Sequence, residues 1–596
     1  MWLLGAWRDD EFLLVRHGRN SLAIIGISSA AERILRDRLA TVRTVADIEI
    51  VVADLSGAFH LVADIDGTLY SRGSLSGSHR CFTTAHDGVT VVADRARTLA
   101  WLTGADIDSR HLAARLGAIG LPPPLDAEPV WRGVRGIRPA EAVTVDARGA
   151  GTRPWWRPPT EARSSAAATA AVRAALAAAV TLRTGRHELS GIDLSGGMDS
   201  TSLCFLAAAA GDRLLATTIH LSTPGQDAAY ADLAAAELPG ARRLVFTADR
   251  LPAQFGALGE RADSADEPSP AMRSRAQQAQ VTRALLAAGA GCRLTGQGGD
   301  DVLQRPGHDL RNMVRDNPFG GLRQLSELRA WYRWPIGRTV GAVLDRTSYP
   351  QWVRRTGRDL AHGRPPAAVP QAWGRPAELP AWATPAAARG MAELIEELEP
   401  DRWTPNADAP ATHRWLYQIQ QCGARARDLE SDAWSIGISW HAPFLDRAVI
   451  EACLSAPAEL VYDPRSYKPL LSRAMAGLLP EKIRQRTTKD DNLSEWHAGI
   501  KEHRALLARW CDSSRLAERG LVDAAAMRRA LLNTEILRDG LAAVERTIAA
   551  EAWLRAAETA GPPEYLGRND GELATADARG RDGLSHGTQH GDPGRT

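Results

Sequence analysis

The chain has 596 residues, too many for one hydrophobic core, so two or more domains are expected. Its 72 basic and 71 acidic side chains nearly cancel, which gives no electrostatic reason to expect a nucleic-acid backbone or an anionic membrane as partner. The six cysteines are scattered, with no C-x-x-C pair and no His at zinc-finger spacing, so a reduced, cytoplasmic protein is expected. Arg8 to Glu11 interrupt the first apolar run before it can serve as a signal peptide. The Ala-rich segment Ala166 to Val180 is shorter than the roughly 20 residues of a membrane span and contains Arg173, so no span is expected.

Residues 1–155 read as short strands separated by turns. Candidates are Phe12 to Val15, Ile48 to Val52 and His60 to Ile65, the last followed by Asp66-Gly67. Arg80 to Thr84 and Val89 to Val92 flank His86-Asp87-Gly88, a hairpin signal. After Trp155-Trp156-Arg157-Pro158-Pro159 the composition shifts to an Ala/Arg-rich helix over Thr160 to Arg183, which places a domain boundary near residue 155. Strand and helix then alternate: strand Gly191 to Leu194, helix Ser200 to Ala210, strand Leu214 to Leu221, helix Ala228 to Leu238, strand Arg243 to Thr247, helix Ala276 to Ala288, strand Cys292 to Thr295. That alternation predicts a parallel sheet covered by helices. A Pro/Arg/Trp-rich stretch, residues 306–410, is expected to insert helices and loops, and the polar residues 566–596 to form a disordered tail after a second domain over 156–565.

The chemistry is expected at Leu194-Ser195-Gly196-Gly197-Met198-Asp199-Ser200, where a strand ends and a helix starts. Glycines there let backbone N–H groups converge on a phosphate, and the helix N-terminus adds partial positive charge. Ser195 and Ser200 supply hydroxyls, and Asp199 a hard oxygen ligand for Mg²⁺. The Lys of a P-loop is absent. Thr295-Gly296-Gln297-Gly298-Gly299-Asp300-Asp301 forms a second Gly-rich turn after a strand of the same sheet. Asp199 and Asp300 together would hold Mg²⁺ on the phosphates of ATP. The competing readings are a strand-to-helix turn capped by Ser200 and a solvated turn at Asp300-Asp301.

The first segment resembles the SGGxDS pyrophosphate loop of the asparagine synthetase/β-lactam synthetase/lasso peptide cyclase superfamily. Thr295 to Asp301 resembles its SGEGSDE segment, and Gly437 to Asp446 its GIxxRxPFLD segment. Tyr467 to Met475, Leu479 to Ile483 and Arg484 to Lys489 are similar to its K-x-x-L-R ending, so the likeness runs over residues 1–495. It implies an N-terminal glutaminase-like (Ntn-type) sandwich followed by a parallel-sheet α/β ATP-pyrophosphatase domain. Ser195, Gly196, Gly197, Asp199 and Ser200 would bind pyrophosphate and Mg²⁺, while Leu194, Ile219, Thr295 and Gly296 would line the adenosine pocket. Lys489 would stabilise the adenylation transition state, with Lys468 or Arg486 as fallback, and it also reads as one more cation of a mixed-charge loop.

Two departures shape the expected reaction. Glutamine-dependent members use an N-terminal Cys, whereas residue 2 here is Trp and no Cys precedes Cys81, so glutamine hydrolysis is not expected. Gln297 stands where asparagine synthetases carry Glu, and a neutral amide cannot act as a base for ammonia. The remaining motifs look most like lasso peptide cyclases. Those adenylate an Asp or Glu side chain of a precursor peptide with ATP and close a macrolactam on the peptide's N-terminal amine. A leader peptidase and a leader-recognition protein are candidate partners. The alternatives are an asparagine synthetase or β-lactam synthetase-like ligase and a non-catalytic scaffold. The Trp/Arg-rich insertion would suit enclosing a peptide or would be core, and His441 would act as acid/base or pack.

Overall fold

The computed structural model describes residues 2–222, 225–259, 265–305, 310–364, 369–399, 402–461, 466–487, 490, 492–533, 540–562 and 574–577. The N-terminal part is antiparallel. A six-stranded sheet runs in the spatial order Gly149–Pro154, Glu141–Asp146, Thr68–Arg72, Gly57–Ile65, Asn20–Ser28, Phe12–His17. Alternation sets its faces: Phe59, Leu61, Ala63 and Ile65 are buried along one strand, and Leu35 and Leu39 of the helix Glu32–Leu39 pack in the same core. A three-stranded sheet joins Val89–Ala93, Phe82–His86 and Arg135–Gly136. Both expected Asp-Gly turns form, with positive φ at Asp66, Gly67, Asp87 and Gly88 as a two-residue type I′ hairpin demands.

The strand expected at Ile48 to Val52 is instead a helical turn, Ile48–Val51. Asp47 explains the difference, because its carboxylate accepts hydrogen bonds from the Arg43 and Thr44 N–H groups and its own carbonyl accepts from Ile50 and Val51. Ile48, Val51 and Val52 then face the core while Ile50 is exposed, a helical rather than an alternating pattern.

Beyond Pro154 the chain enters α1 (Ser165–Thr184), started by Ser164, whose hydroxyl accepts from the Ala167 N–H. Five strands follow: β1 (Ser190–Asp193), β2 (Leu214–His220), β3 (Arg242–Thr247), β4 (Cys292–Leu294) and β5 (Ser439–His441). All pairs are parallel and the order is β3-β2-β1-β4-β5, so the direction of winding reverses between β1 and β4. Antiparallel sheets followed by a helix-covered parallel sheet with helical insertions is the expected fold class.

α1 is long and apolar enough to cross a membrane by composition, but Ala168, Val172, Leu176 and Val180 pack in the core of the parallel sheet. Its last turn carries Arg183, 1% exposed, paired bidentately with Asp446 at 2.7 and 2.9 Å.

The described residues of the 306–410 region are largely helical, and of the two readings of its tryptophans the core reading holds for most of them. Trp352, Trp373, Trp382 and Trp403 are buried in one core with Trp496, Trp510 and Trp553 from the C-terminal helices, and Trp334 is buried with Leu310 and Leu325. Only Trp331, of the six in that stretch, is exposed. The expected tail is corrected at Ala574–Asp577, which pairs antiparallel with Trp2–Gly5; the rest of 566–596 lies outside the described residues.

Asp446→Ala leaves the buried Arg183 guanidinium uncompensated and is expected to cost about 3–5 kcal/mol of stability. Urea denaturation of the variant beside the native chain measures this; a change below about 1 kcal/mol would show that the pair does not hold α1 to the turn that follows β5.

Candidate active site

Both Gly-rich loops open at the carboxyl ends of β1 and β4, flanking the switch point where the crevice of an open parallel sheet lies. The first loop turns from β1 into α2 (Met198–Ala209). Gly196 has φ +84, and a Cβ there would stand 2.0 Å from the Asp227 carbonyl oxygen, so only glycine fits. Gly197 is the N-cap of α2 and provides no side-chain cap, which leaves first-turn N–H groups to an anion. The Ser200 hydroxyl accepts from the Ser195 N–H at 3.1 Å and meets the Ser195 hydroxyl at 2.8 Å, while the Ser195 hydroxyl accepts from the Gly197 N–H. Ser200 is therefore buried and braces the loop from inside; Ser195 is exposed on its rim.

The second loop turns from β4 into the short helix α3 (Gly299–Leu303). A Cβ at Gly299 would lie 2.3 Å from the Asp199 carboxylate carbon, so the two loops touch through a glycine. Asp199 and Asp300 are thereby brought to one cation. The Lys468 ammonium, fully buried, contacts the Asp199 carboxylate and lies 2.7 Å from that of Asp300; the Tyr467 hydroxyl donates to Asp300 at 3.2 Å. Burial alone would lower the Lys468 pKa, but Asp199 and Asp300 outweigh it and hold the ammonium protonated above its ordinary range.

This trio carries one net negative charge, which would repel a polyphosphate. Asp199 and Asp300 are hard oxygen donors of the kind that holds Mg²⁺ together with substrate phosphates, and one such ion would invert the sign of the site. The donor set therefore fits Mg²⁺, and no cluster of three or more His, Cys, Asp or Glu suited to a metal occurs among the described residues.

Arg486 donates to the Gly196 carbonyl at 2.9 Å, pairs with Asp227 and stacks over Tyr230; Asp490 accepts from the Asp227 N–H at 2.7 Å. Lys489, between them in sequence, lies outside the described residues. Leu194 and Thr295 are buried at the ends of β1 and β4, Gly296 follows Thr295, and Ile219 is half-buried near the end of β2.

Gln297 turns toward α4 (Pro410–Ile436) and donates to the Cys422 sulfur at 3.2 Å. Burial pushes the Cys422 thiol up to about 12, so it stays protonated. Trp415 of the same helix donates to the Asp301 carbonyl, and Arg425 lies 3.7 Å from the Asp301 carboxylate. The His441 ring faces away from this constellation, lining a small cavity with Ile27, Ala58, Arg183 and Glu430, and burial holds its pKa well below the ordinary value. It packs as a neutral side chain.

The sequence singles out both aspartates and names Lys468 and Arg486 as fallbacks to Lys489; the structure places both at the first loop, and that Lys468 joins the two aspartates is decided by the fold. Asp227 carries no sequence signal, because its role comes from the fold.

Residues 171–555 match the asparagine synthase family. The chain belongs to that family. No match is found among the curated proteins. Among solved structures, this family member is similar to a glutamine phosphoribosylpyrophosphate amidotransferase from B. subtilis complexed with ADP and GMP, at 11% identity over 48% of this chain and 64% of that one, TM-score 0.18. A second, described as the allosteric regulatory enzyme of purine biosynthesis, is 12% identical over 39% of this chain and 62% of that one, TM-score 0.16. The match thus spans less than two thirds of either solved chain.

Gly299→Ala is expected to displace Asp199 and lower ATP-dependent ligase turnover by about 100-fold with the fold intact, as misplacements near 1 Å do. Steady-state assays of ATP consumption with circular dichroism as control check this; unchanged turnover would mean that Asp199 is not fixed by the loop contact.

Proposed function

We propose that this protein is an ATP-dependent carbon–nitrogen ligase of the asparagine synthetase type that closes a macrolactam on a peptide, as lasso peptide cyclases do. Membership of the asparagine synthase family supports the ligase reading. The observation that carries it is the convergence of Asp199, Asp300 and Lys468 beneath a loop built for phosphate. Bound through Asp199 and Asp300, Mg²⁺ would supply charge neutralisation for the pyrophosphate leaving group.

The backbone of Ser195 to Gly197 and the N-terminus of α2 would hold the departing phosphates, and Leu194, Ile219, Thr295 and Gly296 the adenosine. A side-chain carboxylate oxygen of the peptide would attack the α-phosphorus as pyrophosphate leaves, Lys489 offsetting the charge on the pentavalent phosphorus. The N-terminal amine would then attack the acyl carbon, the bond from that carbon to the AMP oxygen would break so that AMP departs with the oxygen, and the nitrogen would release one proton to solvent. Gln297 favours an amine already on the substrate over ammonia, since its amide is bound to Cys422 and supplies no base at this point. A leader peptidase and a leader-recognition protein would then be partners.

A linear peptide with a free N-terminal amine and an internal Asp or Glu, incubated with the enzyme, ATP and Mg²⁺, is expected to lose one water with stoichiometric AMP formation. Asp199→Ala and Asp300→Ala should each reduce this by at least about 100-fold. Intact-mass spectrometry reads the result. An unchanged peptide beside AMP formation from free aspartate and ammonia would return the chain to small-molecule amide synthesis.

A further inference from the structure

A second concave site lies between loops of the N-terminal part and α4. It is a cavity of about 90 Å³, and none of its lining residues belongs to either Gly-rich loop. A single water needs roughly 10–15 Å³ of such space, so the cavity is roomy enough for several waters or for an oxyanion group.

Five arginines line it: Arg80, Arg115, Arg425, Arg427 and Arg546. Two are already committed, Arg115 to Glu267 at 2.5 Å and Arg425 to Asp301. None of the other three has a carboxylate within hydrogen-bonding distance among the described residues. Arg427 is 5% exposed, its Nε and one terminal nitrogen have no hydrogen-bond partner, and its nearest carboxylate, Asp266, is 3.8 Å away. Arg80 is 8% exposed; it donates to the Ala127 carbonyl, and its Nε has no partner. Arg546, half-buried, reaches the same wall from the C-terminal helix Leu541–Ala557.

The remaining carboxylates on the walls are Asp126 and Asp428, both raised to about 6 by burial. Buried guanidinium N–H groups without acceptors are costly, and the fold retains them beside open space.

We propose that this cavity is a binding site for a small oxyanion, a carboxylate or phosphate group, held by Arg80, Arg427 and Arg546. Arg425 connects it to the catalytic loop, since the same guanidinium lines the cavity and faces Asp301, next to Asp300. The site lies at the junction of N-terminal loops, α4 and C-terminal helix, so occupancy would tie the three together.

The test is titration calorimetry of the full chain without nucleotide, using succinate and inorganic phosphate as separate probes. Saturable one-to-one binding of at least one probe is expected, weakened tenfold or more by Arg546→Gln and by Arg427→Gln. The first is half-buried and leaves the core untouched; the second is checked for folding by circular dichroism. Binding of succinate alone would identify a carboxylate-bearing ligand, and of phosphate alone a phosphate-bearing one. The absence of saturable binding by either probe, or binding that both variants retain in full, would overturn the proposal, the latter because it would belong to the loop at Ser195.

Discussion

The contact between two loops across Gly299 is the constraint on which the catalytic region rests. β1 and β4 are neighbours in the sheet, so the loops that leave their carboxyl ends meet at once. With a side chain at 299 they would be pushed apart by Asp199. Because they touch, two carboxylates from segments a hundred residues apart come to a single ammonium. A buried cation between two acids is stable only as a complete set, which makes Lys468 as much a structural member as a chemical one.

That set is poised rather than finished. Its net negative charge suits a metal ion better than a bare polyphosphate, and the uncapped start of α2 supplies the complementary positive end. Arg486 donates to the Gly196 carbonyl and Asp490 accepts from the Asp227 N–H, so both side chains lie against the first Gly-rich loop.

Much of this was legible in the sequence because periodicity and glycine placement act locally. The alternation from Gly191 to Thr295 gives four of the five strands of the parallel sheet and the helices between them to within a few residues, and Asp-Gly marks the two hairpins expected from it. What was not legible is decided by packing. Ile48 to Val52 reads as a strand by composition, but the turn built by Asp47 fixes it as helix. The tryptophans of the insertion read equally as surface or core, and helices 100 residues further on settle that most are core. Lys468 and Asp227 depend on where distant segments meet, for which a single sequence holds no periodic signal.

The central claim is that a carboxylate is activated as an acyl-adenylate. Transfer of oxygen-18 from a peptide labelled in its side-chain carboxylate tests it most directly. The account predicts that AMP acquires one labelled oxygen for each ring closed. AMP without label, or ADP with labelled phosphate in its place, would contradict it.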